Sequence, residues 1–86
     1  MIKTEHCVQE DALVLAAKAA RVEEARITQQ EDGLFVLSVK LKTKRERFYL
    51  ATRREPDQPR KFKRIDVAAT IGTKLFKVKR FTVVML

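Results

Sequence analysis

The first third of the chain carries apolar residues at helical spacing. One helix face would hold the positions that follow the i, i+3, i+4 and i+7 pattern, namely Leu13, Ala16, Ala17 and Ala20. Five alanines between positions 12 and 20 favour a helix, and acidic residues in its first turn complement the helix dipole. The pattern predicts a helix that begins near Glu10 and Asp11 and ends near Glu24. Residues 1–9 have no clear period and are expected to form a short flexible arm or an edge strand.

A β-hairpin is predicted next, because an Asp-Gly turn signal lies between two alternating runs. A two-residue loop would place Ile27 opposite the polar Ser38. A three-residue loop at 31–33 instead pairs Ile27 with Leu37, gathers the apolar residues on one face, and gives Gly33 the left-handed position. We therefore expect the three-residue loop. The same register gives three further pairs: Ala25 with Val39, Gln29 with Phe35, and Gln30 with Leu34.

A second hairpin is indicated by the alternating residues 35–42 and the returning run 47–53. A tight turn at Lys44 and Arg45 is expected, although these residues are unfavourable there, so a longer loop remains the alternative. On the core face the tight turn pairs Leu41 with Phe48, Val39 with Leu50, and Leu37 with Thr52. On the opposite face it pairs Lys42 with Arg47, Lys40 with Tyr49, Ser38 with Ala51, and Val36 with Arg53.

The rest of the chain predicts a polar connection, a helix and a strand. Residues 54–61 hold both prolines, and Asp66 is placed to cap a second helix that Gly72 would end. A last strand is expected over 74–84, with its neighbour in the sheet left open. The order α-β-β-β-α-β predicts a single small α+β domain over 1–86, an antiparallel sheet with both helices packed on one face.

The distribution of charge is more informative about function than the overall composition. The 86 residues carry a net charge of +8, and this charge is unevenly distributed. Residues 1–33 sum to −3, residues 34–64 to +8 and residues 65–86 to +3. Such segregation predicts two surfaces with different partners. Densely placed like charges repel one another in the folded protein, which favours a partner for the basic surface. A solvated surface without any partner is the alternative.

Location and membrane contact can also be anticipated. The longest apolar run, Val83 to Leu86, is far too short to span a bilayer, and no signal-peptide pattern is found at the start. A single cysteine, Cys7, suits a reducing compartment. We therefore expect a cytoplasmic protein without a membrane partner.

The residues offer little for catalysis. His6 and Cys7 are adjacent, but a nucleophile pair needs a held geometry and a third group that orients the base. One cysteine and one histidine give no zinc-ligand spacing, and two glycines give no phosphate-binding loop. We therefore predict a protein that is not an enzyme and has no cofactor, no metal and no small-molecule substrate.

A basic sheet face is the best-supported candidate site. Lys42 and Arg47 would lie across from each other beside Lys40, an arrangement that destabilises a sheet unless the cations hold phosphates. Tyr49 on the same face could stack on a base. Such residues suit DNA backbone contacts without sequence specificity. The candidate contacts are Lys40, Lys42, Lys44, Arg45, Arg47, Tyr49, Arg53, Arg54, Arg60 and Lys61. Charges that merely prevent edge-to-edge aggregation are the alternative explanation.

Several segments together resemble a known family. They are residues 12–27, 31–41, 45–66 and 81–84, of which Tyr49–Arg54 and Pro59–Phe62 are the most specific. This combination resembles the ParC family, small partition-associated proteins of plasmids and integrative elements that are unrelated to the topoisomerase subunit of that name. The resemblance implies an accessory role in the segregation of mobile DNA, beside a partition ATPase and a DNA-binding adaptor. It supplies no catalytic motif.

Two functions are consistent with these observations. The first is a non-enzymatic partition accessory that binds DNA through the basic sheet face. The second is a protein-interaction module or homodimer, in which the acidic first helix or an exposed strand docks a partner, since dimerisation stabilises a domain of this size.

Overall fold

The first described segment, a short 3-10 turn at Thr4–His6, leads into an alternation of strands and helices. The computed structural model describes residues 4–86, so the first three residues of the predicted arm lie outside the described part. The elements are β1 Cys7–Gln9, α1 Glu10–Ala20, β2 Val22–Gln29, β3 Phe35–Leu41, β4 Arg47–Ala51, α2 Ile65–Phe76 and β5 Thr82–Val84. The predicted edge strand within 1–9 is therefore present as β1.

The strands form one mixed sheet in the order β1-β4-β3-β2-β5. Strands β2, β3 and β4 form an antiparallel meander, but β1 pairs with β4 in parallel and β5 pairs with β2 in parallel. The α+β class is confirmed, whereas the prediction of a wholly antiparallel sheet is wrong. The sequence left the neighbour of the last strand open, and that neighbour is β2.

The two helices explain the parallel outer strands. Strand β1 ends where α1 begins, and α1 returns the chain to the end of the sheet at which β2 starts. Helix α2 likewise returns the chain after β4, so β5 starts at the same end as β2. A helical crossover of this kind makes the strand after it run in the same direction as the strand before it. Strands β1, β2, β4 and β5 therefore all run in one direction, so β1 is parallel to β4 and β5 is parallel to β2.

The first hairpin has the predicted register. Ile27 lies opposite Leu37, Ala25 opposite Val39 and Gln29 opposite Phe35. The backbone N–H of Gln30 donates to the carbonyl of Leu34 at 2.7 Å, which leaves a three-residue loop. Gly33 has φ +84°. The left-handed position predicted for this glycine is therefore confirmed.

The second hairpin has the longer loop and differs from the expected register by two residues. Ser38 pairs with Tyr49, Val39 with Phe48 and Lys40 with Arg47. Five predicted pairs are therefore wrong: Lys40–Tyr49, Lys42–Arg47, Ser38–Ala51, Val39–Leu50 and Leu41–Phe48. A shift of two keeps every side chain on its predicted face, because side chains alternate with a period of two. Lys42 leaves the strand for the turn region that follows Leu41.

The C-terminal ends of both helices, the cap of α2 and the last strand differ from the predictions. Helix α1 stops at Ala20 with Arg21 at φ 62°, so the expected end near Glu24 is wrong. Asp66 does not cap α2, since its carboxylate accepts from Arg64 instead. Helix α2 also continues past Gly72 to Phe76, and β5 is shorter than the strand expected over 74–84.

Both helices pack on one face of the sheet, as predicted. A single cluster joins Leu13 and Ala17 of α1 and Ala68 and Phe76 of α2 to the buried side chains of the sheet. The sheet contributes Ala25, Ile27, Phe35, Leu37, Val39, Leu41 and Leu50. Within residues 4–86 the other face of the sheet carries no helix, and of the predicted site residues Lys40, Arg47 and Tyr49 lie on this open face.

Candidate functional site

The open face of the sheet brings together only part of the predicted basic cluster. Lys40 and Arg47 lie directly opposite each other, and Tyr49 lies half-buried beside them, opposite Ser38. The Lys40 ammonium is held over the following turn, where it donates to the carbonyl of Lys44 at 3.1 Å. These three residues therefore share a face, but they lack the Lys42 side chain that was expected to join them.

Carboxylates neutralise the cations on this face. Glu24 pairs with Arg47 and, at 3.0 Å, with Arg26, while Glu23 pairs with Lys40 at 2.9 Å. The Arg47 side chain is only 16% exposed. Lys40 and Arg47 therefore hold carboxylates in this structure, whereas the sequence predicted that they would be available to hold phosphates. The carboxylates reach these cations because α1 ends early, which places Glu23 and Glu24 in β2 instead of on a helix surface.

Glu24 is the centre of a polar network. Burial alone would raise the pKa of its carboxyl, but hydrogen bonds from Thr82 and Arg47, with the charges of Arg47 and Arg26, hold that pKa below its ordinary value of 4.5. Arg47 also donates to the Ser38 hydroxyl at 3.4 Å. The network links β2, β3, β4 and β5, so it is better suited to holding the sheet together than to receiving an anion.

A second group of predicted contacts lies at the opposite end of the sheet, where the first hairpin turns. Arg53 pairs with Asp11 at 2.8 Å, Lys61 pairs with Asp32 at 3.1 Å, and the Arg60 guanidinium lies 4.8 Å from the centre of the Phe62 ring. Arg54 is exposed and unpaired in the part of the chain that is described. The structure therefore separates these four predicted site residues from Lys40, Arg47 and Tyr49.

The end of the sheet at which β2 begins collects cations of another kind. Nine exposed basic side chains, which we call the basic end, have no carboxylate partner within residues 4–86. They are Lys18, Arg21, Lys42, Lys44, Arg45, Lys74, Lys77, Lys79 and Arg80. Only Lys42, Lys44 and Arg45 of this group were among the candidate contacts.

Chain topology explains why the basic end forms. Both helices finish there, β3 turns into β4 there, and the segment 77–81 leads into β5 there. The backbone N–H of Lys42 donates to the carbonyl of Arg21 at 3.1 Å, which joins two of these segments directly. The sequence did not predict the basic end because an antiparallel sheet was expected. An antiparallel β5 would have carried Lys79 and Arg80 to the other end.

The net charge of the molecule is concentrated at this end. Segments 18–26, 40–47 and 74–80 hold twelve basic and three acidic residues, and Glu5 adds a fourth acid. The opposite end, with residues 10–11, 31–32 and 53–66, holds six basic and seven acidic residues. The C-termini of both helices add negative partial charge, which favours nearby cations but offsets only a fraction of this excess.

A cleft opens beside the basic end. Strand β5 pairs with β2 only from Arg26 onward, so the earlier part of β2 and the segment before β5 separate. The resulting space has a volume of about 550 Å³. It is lined by Val22, Glu23, Glu24, Ala25, Val78, Lys79, Arg80, Phe81 and Thr82.

His6 and Cys7, the adjacent residues that a nucleophile pair would use, lie in the turn Thr4–His6 and at the start of β1. The His6 ring packs edge-on against Phe48, with 6.1 Å between ring centres. Burial, and next the charge of Asp57, raises the pKa of the Cys7 thiol, which disfavours the reactive thiolate. Within residues 4–86 no three histidine, cysteine or acidic side chains are grouped so that they could hold a metal ion.

Comparison with known proteins gives no relative from which a function could be transferred. No family model matches the chain, and neither curated proteins nor solved structures provide a significant match. In the described part of the chain, neither helix has the length and apolar character needed to cross a membrane.

Proposed function

We propose that this chain binds the phosphate backbone of nucleic acid through the basic end and catalyses no reaction. The observation that carries the proposal is the set of nine exposed cations, supplied by three separate segments, that have no carboxylate partner within residues 4–86. Lysine and arginine in such numbers favour a regular polyanion, since each neutralised phosphate releases condensed counterions. Contacts of this type give affinity without sequence recognition.

The surface differs from the sheet face that the sequence suggested. Lys40 and Arg47 already hold carboxylates, so a phosphate would have to displace Glu23 or Glu24 before it could bind there. Lys42, Lys44 and Arg45 retain their proposed role from the turn between β3 and β4. Arg21, Lys79 and Arg80 join them as newly proposed contacts.

The biological setting belongs to the same proposal. An accessory role in the partition of plasmids or integrative elements would need a small, basic protein that coats or bridges DNA. The resemblance of residues 12–84 to the ParC family supports that role, and the charge distribution supports the DNA contact it requires. Genes for a partition ATPase and adaptor beside this one would support the setting, and a neighbourhood without them would argue against it.

Charge reversal at the basic end tests the proposed contact. We expect Lys42→Glu with Arg45→Glu to weaken binding of a generic DNA duplex by about tenfold or more, and to reduce the salt slope by about two. The affinity is measured by fluorescence anisotropy over a salt series. Both side chains are exposed, so the fold is expected to remain intact.

A matched variant separates a local site from bulk charge. Arg54→Glu with Lys63→Glu makes the same change in net charge at the opposite end, also at exposed side chains. We expect its duplex affinity to stay within about threefold of the unmodified protein, because screening weakens charges beyond a Debye length. Equal losses in the two double variants would reject the basic end as the contact surface.

A second candidate function, self-association, is favoured by the edge strand β5. Val83, Val84, Met85 and Leu86 are 43%, 39%, 55% and 78% exposed, and β5 ends the sheet. An exposed apolar edge is a template for pairing with another strand. We propose a second copy as the occupant, because antiparallel pairing centred on Val83 would direct the two basic ends away from each other and avoid their repulsion.

Sedimentation equilibrium tests this dimer with a pair of equally exposed valines. Val83 of β5 and Val67 of α2 are both 43% exposed. We expect a dimer that Val83→Lys converts to a monomer, since a lysine on an edge strand opposes pairing. Val67→Lys should leave the dimer intact. A monomer in the unmodified protein at all concentrations, or equal effects of the two substitutions, would rule out pairing through β5.

A further inference from the structure

The cleft beside the basic end has one apolar wall that packs against the core. Val22, Val78 and Phe81 belong to the side chains that pack against the core. The edge of the Phe81 ring rests on Gly72 of α2, where a Cβ would lie only 2.6 Å from the ring carbon Cε1. The absence of a side chain at Gly72 therefore lets Phe81 sit at the boundary between the core and the cleft.

The remaining walls of the cleft carry opposite charges. Lys79 and Arg80 lie on the side of the cleft that leads into β5, and neither has a carboxylate partner within the described residues. Glu23 and Glu24 lie on the β2 side. Glu23 holds Lys40 through the single oxygen Oε2. A phosphate is therefore attracted to one side of the cleft and repelled from the other.

These features fit a nucleotide better than a phosphate alone. A planar base can pack against the apolar wall, and its amino groups can donate to a Glu23 oxygen. Its phosphate can then lie outside the carboxylates, on Lys79 and Arg80. The volume of about 550 Å³ falls within the range of small-ligand sites and exceeds what one base requires.

From this arrangement we propose that the cleft receives an unpaired base of a single-stranded nucleic acid whose backbone follows the basic end. The inference rests on the proposed function, because it assumes that the basic end holds phosphates. Bases in a duplex are stacked and paired, so they cannot enter a cleft between two strands of a sheet. Unpaired bases can, and base packing on aromatic side chains is a general mode of single-strand recognition.

The first test compares two forms of one sequence. We expect a single strand of about twelve nucleotides to bind at least about fivefold more tightly than the duplex of the same length, at equal salt. Equal affinity for both forms would overturn the cleft proposal while leaving backbone binding in place. Failure to bind either form would instead remove the proposed function itself, so the two failures are distinguishable.

A substitution at the apolar wall sharpens the test. Phe81→Leu keeps an apolar side chain but removes the ring, so single-strand affinity should fall by about fivefold and duplex affinity should hardly change. Phe48→Leu removes a half-buried ring elsewhere in the sheet and should leave the ratio of the two affinities unaltered. Circular dichroism is used to check that both variants remain folded. An unaltered ratio in folded Phe81→Leu would overturn the proposal.

Photochemical cross-linking supplies a readout that needs no variant. A single strand that contains 5-iodocytosine is bound to the unmodified protein and irradiated, and the cross-linked peptide is located by mass spectrometry. We expect the cross-link within residues 78–82. A cross-link confined to Tyr49 or to other residues outside the cleft would contradict the proposal, even if Phe81→Leu could not be prepared in a folded form.

Discussion

Replacement of Leu37 by alanine is expected to lower the free energy of unfolding by about 2–5 kcal/mol. Leu37 lies in β3, the central strand of the sheet, opposite Ile27, and its side chain is 0% exposed. The substitution would remove three carbons from the layer between sheet and helices and leave a cavity. A small domain has about 5–15 kcal/mol in total, so the loss would be a large part of its stability.

An exposed leucine provides the matched control. Leu15→Ala makes the same chemical change on α1, where the side chain is 68% exposed. We expect a change within about 0.5 kcal/mol, since a surface substitution leaves no cavity. Urea unfolding followed by circular dichroism measures both variants. Similar losses for the two leucines would contradict the placement of the core.

Neutralisation of Glu24 is expected to give the second large effect. Glu24→Gln keeps the shape of the side chain but leaves Arg47 and Arg26 without their carboxylate partner. Because the Arg47 side chain is mostly buried, we expect a loss of about 1–3 kcal/mol in the free energy of unfolding. Asp66→Asn, which breaks the exposed pair with Arg64, should cost no more than about 1 kcal/mol.

Glu24 is also expected to make the free energy of unfolding depend on pH, which the unmodified protein and Glu24→Gln can test. The pKa of Glu24 is lower in the folded protein than its ordinary value of 4.5, so its contribution to stability is complete above that value. The contribution is lost as the pH falls from 4.5 through the lower folded pKa. Urea midpoints of the unmodified protein and Glu24→Gln should therefore converge in acid. A constant difference between them down to low pH would show that the Glu24 charge is not the cause.

The alternation of residues predicted which way the side chains face. Residues 35–41 alternate so regularly that their core face follows from the pattern alone, and the Asp-Gly signal gave the first loop and its register. Even the two-residue error in the second hairpin preserved the faces, because an even shift does not exchange them. Local chemistry was sufficient at these positions.

Long-range pairing decided what the sequence could not. Alanine-rich propensity continues smoothly toward Glu24, yet α1 ends at Ala20 because the chain must turn to pair Val22 with Leu41. That tertiary requirement placed Glu23 and Glu24 beside the basic face and cancelled its charge. The parallel position of β5 likewise moved Lys79 and Arg80 to the basic end. Neither effect can be predicted from the residues that are adjacent in the sequence.

The separation of charge along the helix direction makes the molecule a permanent electric dipole. Near a polyanion such a body experiences a torque, so it is turned with its cations forward before any contact is made. The longest dimension is 33 Å, whereas salt limits the field to about 8–10 Å under physiological conditions. Rotation is therefore confined to the final approach. It raises the fraction of collisions that lead to binding more than it raises the frequency of collisions.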